Sequence, residues 1–134
     1  MNDDTPVVDL SIVVDTSVIV DALVAADGAA LRARLAGRRL HAPELIDYEV
    51  MNALRGLVLG THLSEERALD ALGDYLDLPL RRAALPPMAY EVWRLRHTVT
   101  AYDAAYVVLA RALGVPLWTR DRRLAKAVPD AVVV

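Results

Sequence analysis

This chain predicts an α/β layered domain with a parallel sheet, on three observations. Short β-branched runs alternate with longer Ala- and Leu-rich segments from end to end, the pattern of repeated βα units. The first such run, Ile12-Val13-Val14, is apolar at successive rather than alternate positions, as a strand buried on both faces requires. Of 134 residues, 55% are hydrophobic. That is enough for a core, and the length suits one compact domain rather than two.

In order, residues 1–11 read as an N-terminal leader and 12–134 as the domain. Val7-Val8-Asp9 mimics the run that follows, but no helix comes after it, so Asp9 is placed at the surface or an edge. The strand ending at Val14 puts Asp15 at its carboxyl end, where open α/β sheets place ligands. Thr16 and Ser17 can cap the helix that follows, Thr16 to Leu23. Ala29 to Leu35 is a second helix, with Gly37 as its left-handed stop. Arg38 to Ala42 is a short strand.

Pro43 and Glu44 open a third helix that runs to Gly60. On it Glu49 and Asn52, three apart, share a face beside the apolar stripe. Asp47 points away, because two residues turn a helix by about 200°. Glu65 and Glu66 suit the first turn of a fourth helix through Leu69, Leu72 and Leu76. Leu78-Pro79-Leu80 is a short edge strand, followed by Arg81 and Arg82. Pro86-Pro87 breaks the chain. Met88 to Arg96 is helical, with Val92 and Leu95 inward. Thr100 to Asp103 opens the last long helix, Ala104 to Leu113, which Gly114 ends. Val115 to Thr119 is a strand, Arg120 onward turns into a short helix ending near Val128, and Ala131 to Val134 is a final strand. No internal repeat or low-complexity linker is present.

Composition excludes several functions. Cysteine is absent, so there is no disulfide framework and no thiolate metal site; a reducing cytoplasm is the expected setting. No basic segment precedes a long apolar stretch, so no secretory signal is visible, and no apolar run reaches membrane length. A net charge of −3 argues against binding nucleic acid by bulk charge. Local contacts fall instead to Arg32, Arg34, Arg38, Arg39, Arg120, Arg122 and Arg123.

Four acids stand in suggestive places. Asp15 and Asp121 follow strands, Glu49 sits on a helix and Asp103 opens one. Each has a plain alternative: Asp15 and Asp121 as helix caps, Glu49 as a solvated helix residue, Asp103 as the capping-box partner of Thr100. Taken together they point elsewhere. Parallel strand tips face one way, so Asp15 and Asp121 can meet above one edge of the sheet, within reach of the Asp103 helix. Two charges about 5 Å apart repel by roughly 3 kcal/mol at an effective dielectric of about 20, so such a cluster needs a cation. A hard divalent ion with oxygen ligands, Mg²⁺ or Mn²⁺, is the natural one. His41, His62 and His97 lack ligand spacing, which disfavours zinc. Such an ion suits phosphodiester hydrolysis, with Thr16, Ser17 and Thr119 orienting ligands or waters around it.

The chain resembles the PIN-domain ribonucleases, and among them the VapC toxins of bacterial toxin–antitoxin pairs. The matching pieces are Val13-Val14-Asp15-Thr16-Ser17; Ala42-Pro43-Glu44-Leu45 leading to Tyr48-Glu49-Val50-Met51-Asn52-Ala53-Leu54; Thr100-Ala101-Tyr102-Asp103-Ala104-Ala105-Tyr106; and Leu117-Trp118-Thr119-Arg120-Asp121-Arg122-Arg123-Leu124. They stand in family order and span nearly the whole chain from Ile12. The resemblance implies a three-layer α/β/α fold around a central parallel sheet. It implies a Mg²⁺- or Mn²⁺-dependent endoribonuclease that cuts RNA such as tRNA, forms a homodimer and is neutralised by a VapB-type antitoxin. The family's acids map onto Asp15 and Asp103 as direct metal ligands, with Glu49 and Asp121 completing the site. Asn52 and Thr119 match supporting positions. The stretch before the first strand departs from many relatives, in which the initiator Met directly precedes that strand.

The alternative is a catalytically inactive PIN-like module that binds RNA or protein and keeps the acids as caps. Other aspartate-based phosphate chemistries fit less well. A haloacid-dehalogenase-like site wants a second acid where Ser17 stands. A receiver-like site wants paired acids before the first strand and a late lysine, whereas the only lysine, Lys126, lies in the terminal helix.

Overall fold

A computed structural model describes residues 10–134; most of the expected leader, with the surface placement of Asp9, lies outside the described residues. The elements are β1 (Ser11–Val14), α1 (Thr16–Val24), α2 (Gly28–Leu35), β2 (Arg39–Pro43), α3 (Ile46–Leu59), α4 (Glu65–Asp77), β3 (Leu80–Ala83), a 3₁₀ turn (Pro86–Met88), α5 (Ala89–Arg94), α6 (Ala101–Leu113), β4 (Leu117–Thr119), α7 (Arg122–Ala127) and β5 (Ala131–Val133). Ser11 is therefore part of the first strand.

All strand pairs are parallel, in the order β3-β2-β1-β4-β5. The central strand β1 is buried at every position, which accounts for its unbroken apolar run. The edge strand β3 buries Leu80 and exposes Arg81 and Arg82, charges that discourage further pairing. Right-handed crossovers place the helices before and after the order reversal on opposite faces. On one side α1 packs against α2, α3 and α4; on the other α6 lies over β1, β2 and β4 with α5 beside it. From Ala104 to Ala110 every residue of α6 is buried, so this helix is apolar all round, as a helix enclosed by sheet and neighbours must be. Among the described residues, no helix is long and apolar enough to cross a membrane.

Three local expectations are corrected. Pro43 does not open α3: it is the last residue of β2, paired with Ala83, and the ladder resumes with the Glu44 N–H donating to the Ala83 carbonyl at 2.9 Å. A proline at a strand end forfeits little pairing. Pro86-Pro87 does not break the chain; it forms the 3₁₀ turn that leads into α5, since the first turn of a helix needs no N–H from proline. The strand expected at Leu78-Pro79-Leu80 begins at Leu80 and takes in both arginines. Asp47 does point away, into a pairing with Arg82 at 2.9 Å and the Tyr75 hydroxyl at 2.5 Å.

Candidate active site

The strand order reverses between β1 and β4, and at such a switch point the carboxyl ends of two neighbouring strands leave a crevice. Asp15 sits on it. Its N–H donates to the Trp118 carbonyl at 2.9 Å, which fixes the tip of β1 to β4. The residue is 9% exposed, and both carboxylate oxygens accept hydrogen bonds. Oδ1 accepts the Thr16 N–H at 2.8 Å; Oδ2 accepts from Thr119 Oγ1 at 2.8 Å and Ser17 Oγ at 3.1 Å.

Two threonines tie this acid to its neighbours. Thr119 Oγ1, while donating to Asp15, accepts the Asp121 N–H at 2.9 Å. The Thr16 hydroxyl donates to Glu49 Oε1 at 3.0 Å. The same Oε1 accepts from the Tyr106 hydroxyl at 2.7 Å, and the Thr16 and Tyr106 oxygens are 2.8 Å apart. Ser17 Oγ also accepts the Arg120 N–H at 3.0 Å, which steadies the turn after β4. Asn52 is exposed on α3 and joins none of these bonds.

The capping readings of the acids are partly true. Asp15 caps α1, and Asp121 Oδ1 caps α7 through the N–H groups of Arg123 and Leu124 at 2.9 and 3.3 Å. Asp103 lies in the first turn of α6, where its N–H donates to Thr100 Oγ1 at 3.2 Å. Glu49 lies in the first turn of α3. Capping and convergence are compatible because all four helices begin at the carboxyl edge of the sheet. Their positive ends meet there and offset some of the repulsion.

That offset is incomplete. Burial pushes the carboxyl groups of Asp15, Glu49 and Asp103 upward from the ordinary range. Neighbouring charge adds to this: Asp121 acts on Asp15, Asp15 and Asp103 on Glu49, and Asp15 and Asp121 on Asp103. Hydrogen bonds from Thr119, Ser17 and Thr16 pull Asp15 back, as those from Tyr106 and Thr16 do for Glu49. Arg123 draws Asp103 down at a distance. Among the described residues no arginine or lysine forms an ion pair with these three acids. The donors are all oxygens, which suits a hard divalent ion. No three acidic or histidine side chains among the described residues close around one point as a ready-made ligand cage.

The PIN domain family matches residues 12–128, a span that contains all four acids. Ribonuclease VapC1 of Mycobacterium tuberculosis is 48% identical over 105 residues, covering 76% of this chain and 77% of the relative. The chain belongs to the VapC group of PIN-domain proteins. Ribonuclease VapC12 of the same organism is 44% identical over 100 residues, covering 75% of this chain and 78% of the relative. This PIN domain also matches the crystal structure of PAE2754 from Pyrobaculum aerophilum with a TM-score of 0.74. The identity there is 25%, over 92% of this chain and 83% of the other.

Two residues take places that the sequence did not assign. Tyr106 is fully buried and is the link from α6 to Glu49. Its spacing of three from Asp103 puts both on one helix face, the available signal. Arg120, expected to touch RNA, is occupied elsewhere: it donates to Asp21 at 2.9 Å and to Asp27 at 2.8 Å.

Proposed function

We propose that this VapC-type PIN domain is a Mg²⁺- or Mn²⁺-dependent endoribonuclease that acts as a toxin. In this reading it works in the cytoplasm as a homodimer and is silenced by a VapB-type antitoxin. What supports the proposal is the hydrogen-bond network that ties Asp15 to Thr119 and Thr119 to the Asp121 N–H, and Glu49 to Thr16 beside Asp15, with the charge of Asp103 acting on Glu49 and no ion pair to Asp15, Glu49 or Asp103 among the described residues. The relatives' description as ribonucleases supports the same reaction.

Asp15 and Asp103 would be the direct ligands in this reading, with Glu49 and Asp121 completing the site through waters or a second ion. When bound, the ion polarises the scissile phosphate and makes water a better nucleophile. Asp15 meets the ion with its orientation fixed by three donors. Glu49 holds its Oε1 against Thr16 and Tyr106, while Oε2 takes no hydrogen bond from the described residues and is free to accept a proton from water. Thr119 keeps Asp15 and the Asp121 backbone in register.

Purified protein is expected to cut RNA with Mg²⁺ or Mn²⁺, to stop on chelation with EDTA, and to resume when Mn²⁺ is restored. Tight RNA binding without cleavage at any divalent concentration would instead mean an inactive binding module.

Tyr106→Phe removes one of the two donors on Glu49 and keeps the ring. Cleavage should slow by roughly tenfold, the equivalent of one hydrogen bond to a charged group. Because that bond lowers the Glu49 pKa, the acidic limb of the pH–rate profile should move to higher pH. An unchanged rate and profile would show that Tyr106 only fills space.

A further inference from the structure

Next to the acids lies a cavity of about 530 Å³. Asp103 and Asp121 line it together with Arg96, His97 and Arg123. The volume falls in the range of small-ligand sites and has room for a nucleotide unit.

Arg96 and Arg123 are the two arginines that line this cavity, and neither has an ion-pair partner among the described residues. Arg120 is paired with Asp21 and Asp27, Arg82 with Asp47 and Arg111 with Asp130. Arg34 and Arg38 lie over the Trp118 ring. Arg96 stacks 4.9 Å from the centre of the Trp93 ring and donates to the Trp93 carbonyl at 3.1 Å. It has no carboxylate partner among the described residues. Its guanidinium is thus held in place with its charge uncompensated, the condition under which arginine recognises phosphate. Arg123 lies at the start of α7, lines the same cavity and draws the Asp103 pKa down by its charge.

We propose that Arg96 and Arg123, with His97 beside them, hold an RNA backbone phosphate that flanks the scissile one. This inference rests on the ribonuclease reading. A polyanion approaching three carboxylates that have no ion-pair partner among the described residues needs a cationic contact near them. Arg96 and Arg123 supply it, so in this proposal the strand lies across the acids with one phosphate at the metal site and the next at the arginines. Of the seven arginines singled out from the sequence, only Arg123 lines this cavity. Arg96 and His97 come from the loop after α5, which carries no local sign of nucleic-acid binding.

The test uses the full chain with Arg96→Gln, Arg123→Gln and the double substitution; glutamine keeps length and a donor but removes charge. Binding of a labelled single-stranded RNA is measured in EDTA across a salt series. Each substitution should weaken binding roughly three- to tenfold and flatten the log–log salt slope by about 0.7, the value for one phosphate contact on a single strand. With Mn²⁺ present, KM should rise while kcat changes little. Mn²⁺ uptake by calorimetry should be unaffected, and Arg67→Gln, on α4 outside the cavity, should change nothing. Parental affinity and salt slope in the double variant would overturn the proposal even if the parent cleaves RNA. If the parent binds with a slope that these variants flatten, yet never cuts, the phosphate contact stands and the ribonuclease reading fails.

Discussion

Asp15→Asn should leave the domain folded and reduce RNA cleavage by at least a factor of about 100, the upper end of what loss of a residue supporting a metal ligand costs. The amide keeps the shape that Thr16, Ser17 and Thr119 surround, so the hydroxyl groups can reorient around it without a cavity forming. What disappears is the negative charge that faces the cation. Burial already disfavours that charge, so the metal-free variant should melt no lower than the parent. Initial rates with Mn²⁺ and thermal melts in EDTA check both halves. A variant that cuts at the parental rate would remove Asp15 from the metal site, and a variant that fails to fold would give the residue a structural role instead.

The second large effect is a stability that depends on pH in the direction opposite to an ordinary ion-paired surface. The folded pKa values of Asp15, Glu49 and Asp103 lie above their unfolded values. Their contribution is therefore complete below the unfolded carboxylate pKa and is lost as pH rises through the raised folded values. Asp47, Asp130 and Asp27 have lowered values, from Arg82, Arg111 and Arg120, and act in the reverse sense. These three pairs are largely solvent-screened, however, and contribute little. Metal-free protein should accordingly melt lower at neutral than at mildly acidic pH. Saturating Mn²⁺ should reverse the order, because an ion at about a hundred times its Kd adds about 2.7 kcal/mol to the folded state. Melts over this range with and without EDTA would show it. A metal-free stability that rises steadily toward neutral pH, with no response to Mn²⁺, would mean that the acids are comfortable as they stand.

The legible parts of the fold were the periodic ones. The continuous Ile12-Val13-Val14 run could serve only as a strand covered on both faces, and β1 is that strand. The Ala-rich run after Asp103 reads as a buried helix, and α6 is enclosed on all sides. The chemistry of Pro43 fits a first helical turn as well as a strand end; the choice rests on its pairing with Ala83, forty residues away. The four acids were each visible, and so were their capping roles. What the local sequence does not contain is the strand order, and only β1 lying beside β4 brings Asp15 to Thr119 and Asp121. Tyr106 and Arg120 were hidden for the same reason: their partners lie far off in the chain, at Glu49 and at Asp21 and Asp27, with no periodic pattern connecting them. Asn52 shares a helix face with Glu49, as its spacing requires, yet the hydrogen-bond network reaches Glu49 from the side of Thr16 and Tyr106 instead.

A calorimetric titration of Mn²⁺ into the metal-free protein at neutral pH, run in parallel on Asp103→Asn, tests the centre of this account most directly. Of the proposed ligands Asp103 is the least encumbered by hydrogen bonds, so its loss disturbs the fold least. The account predicts saturable uptake by the parent and a clear loss of affinity in the variant, with both proteins equally folded. No uptake by the parent, or the same isotherm for both, would contradict it.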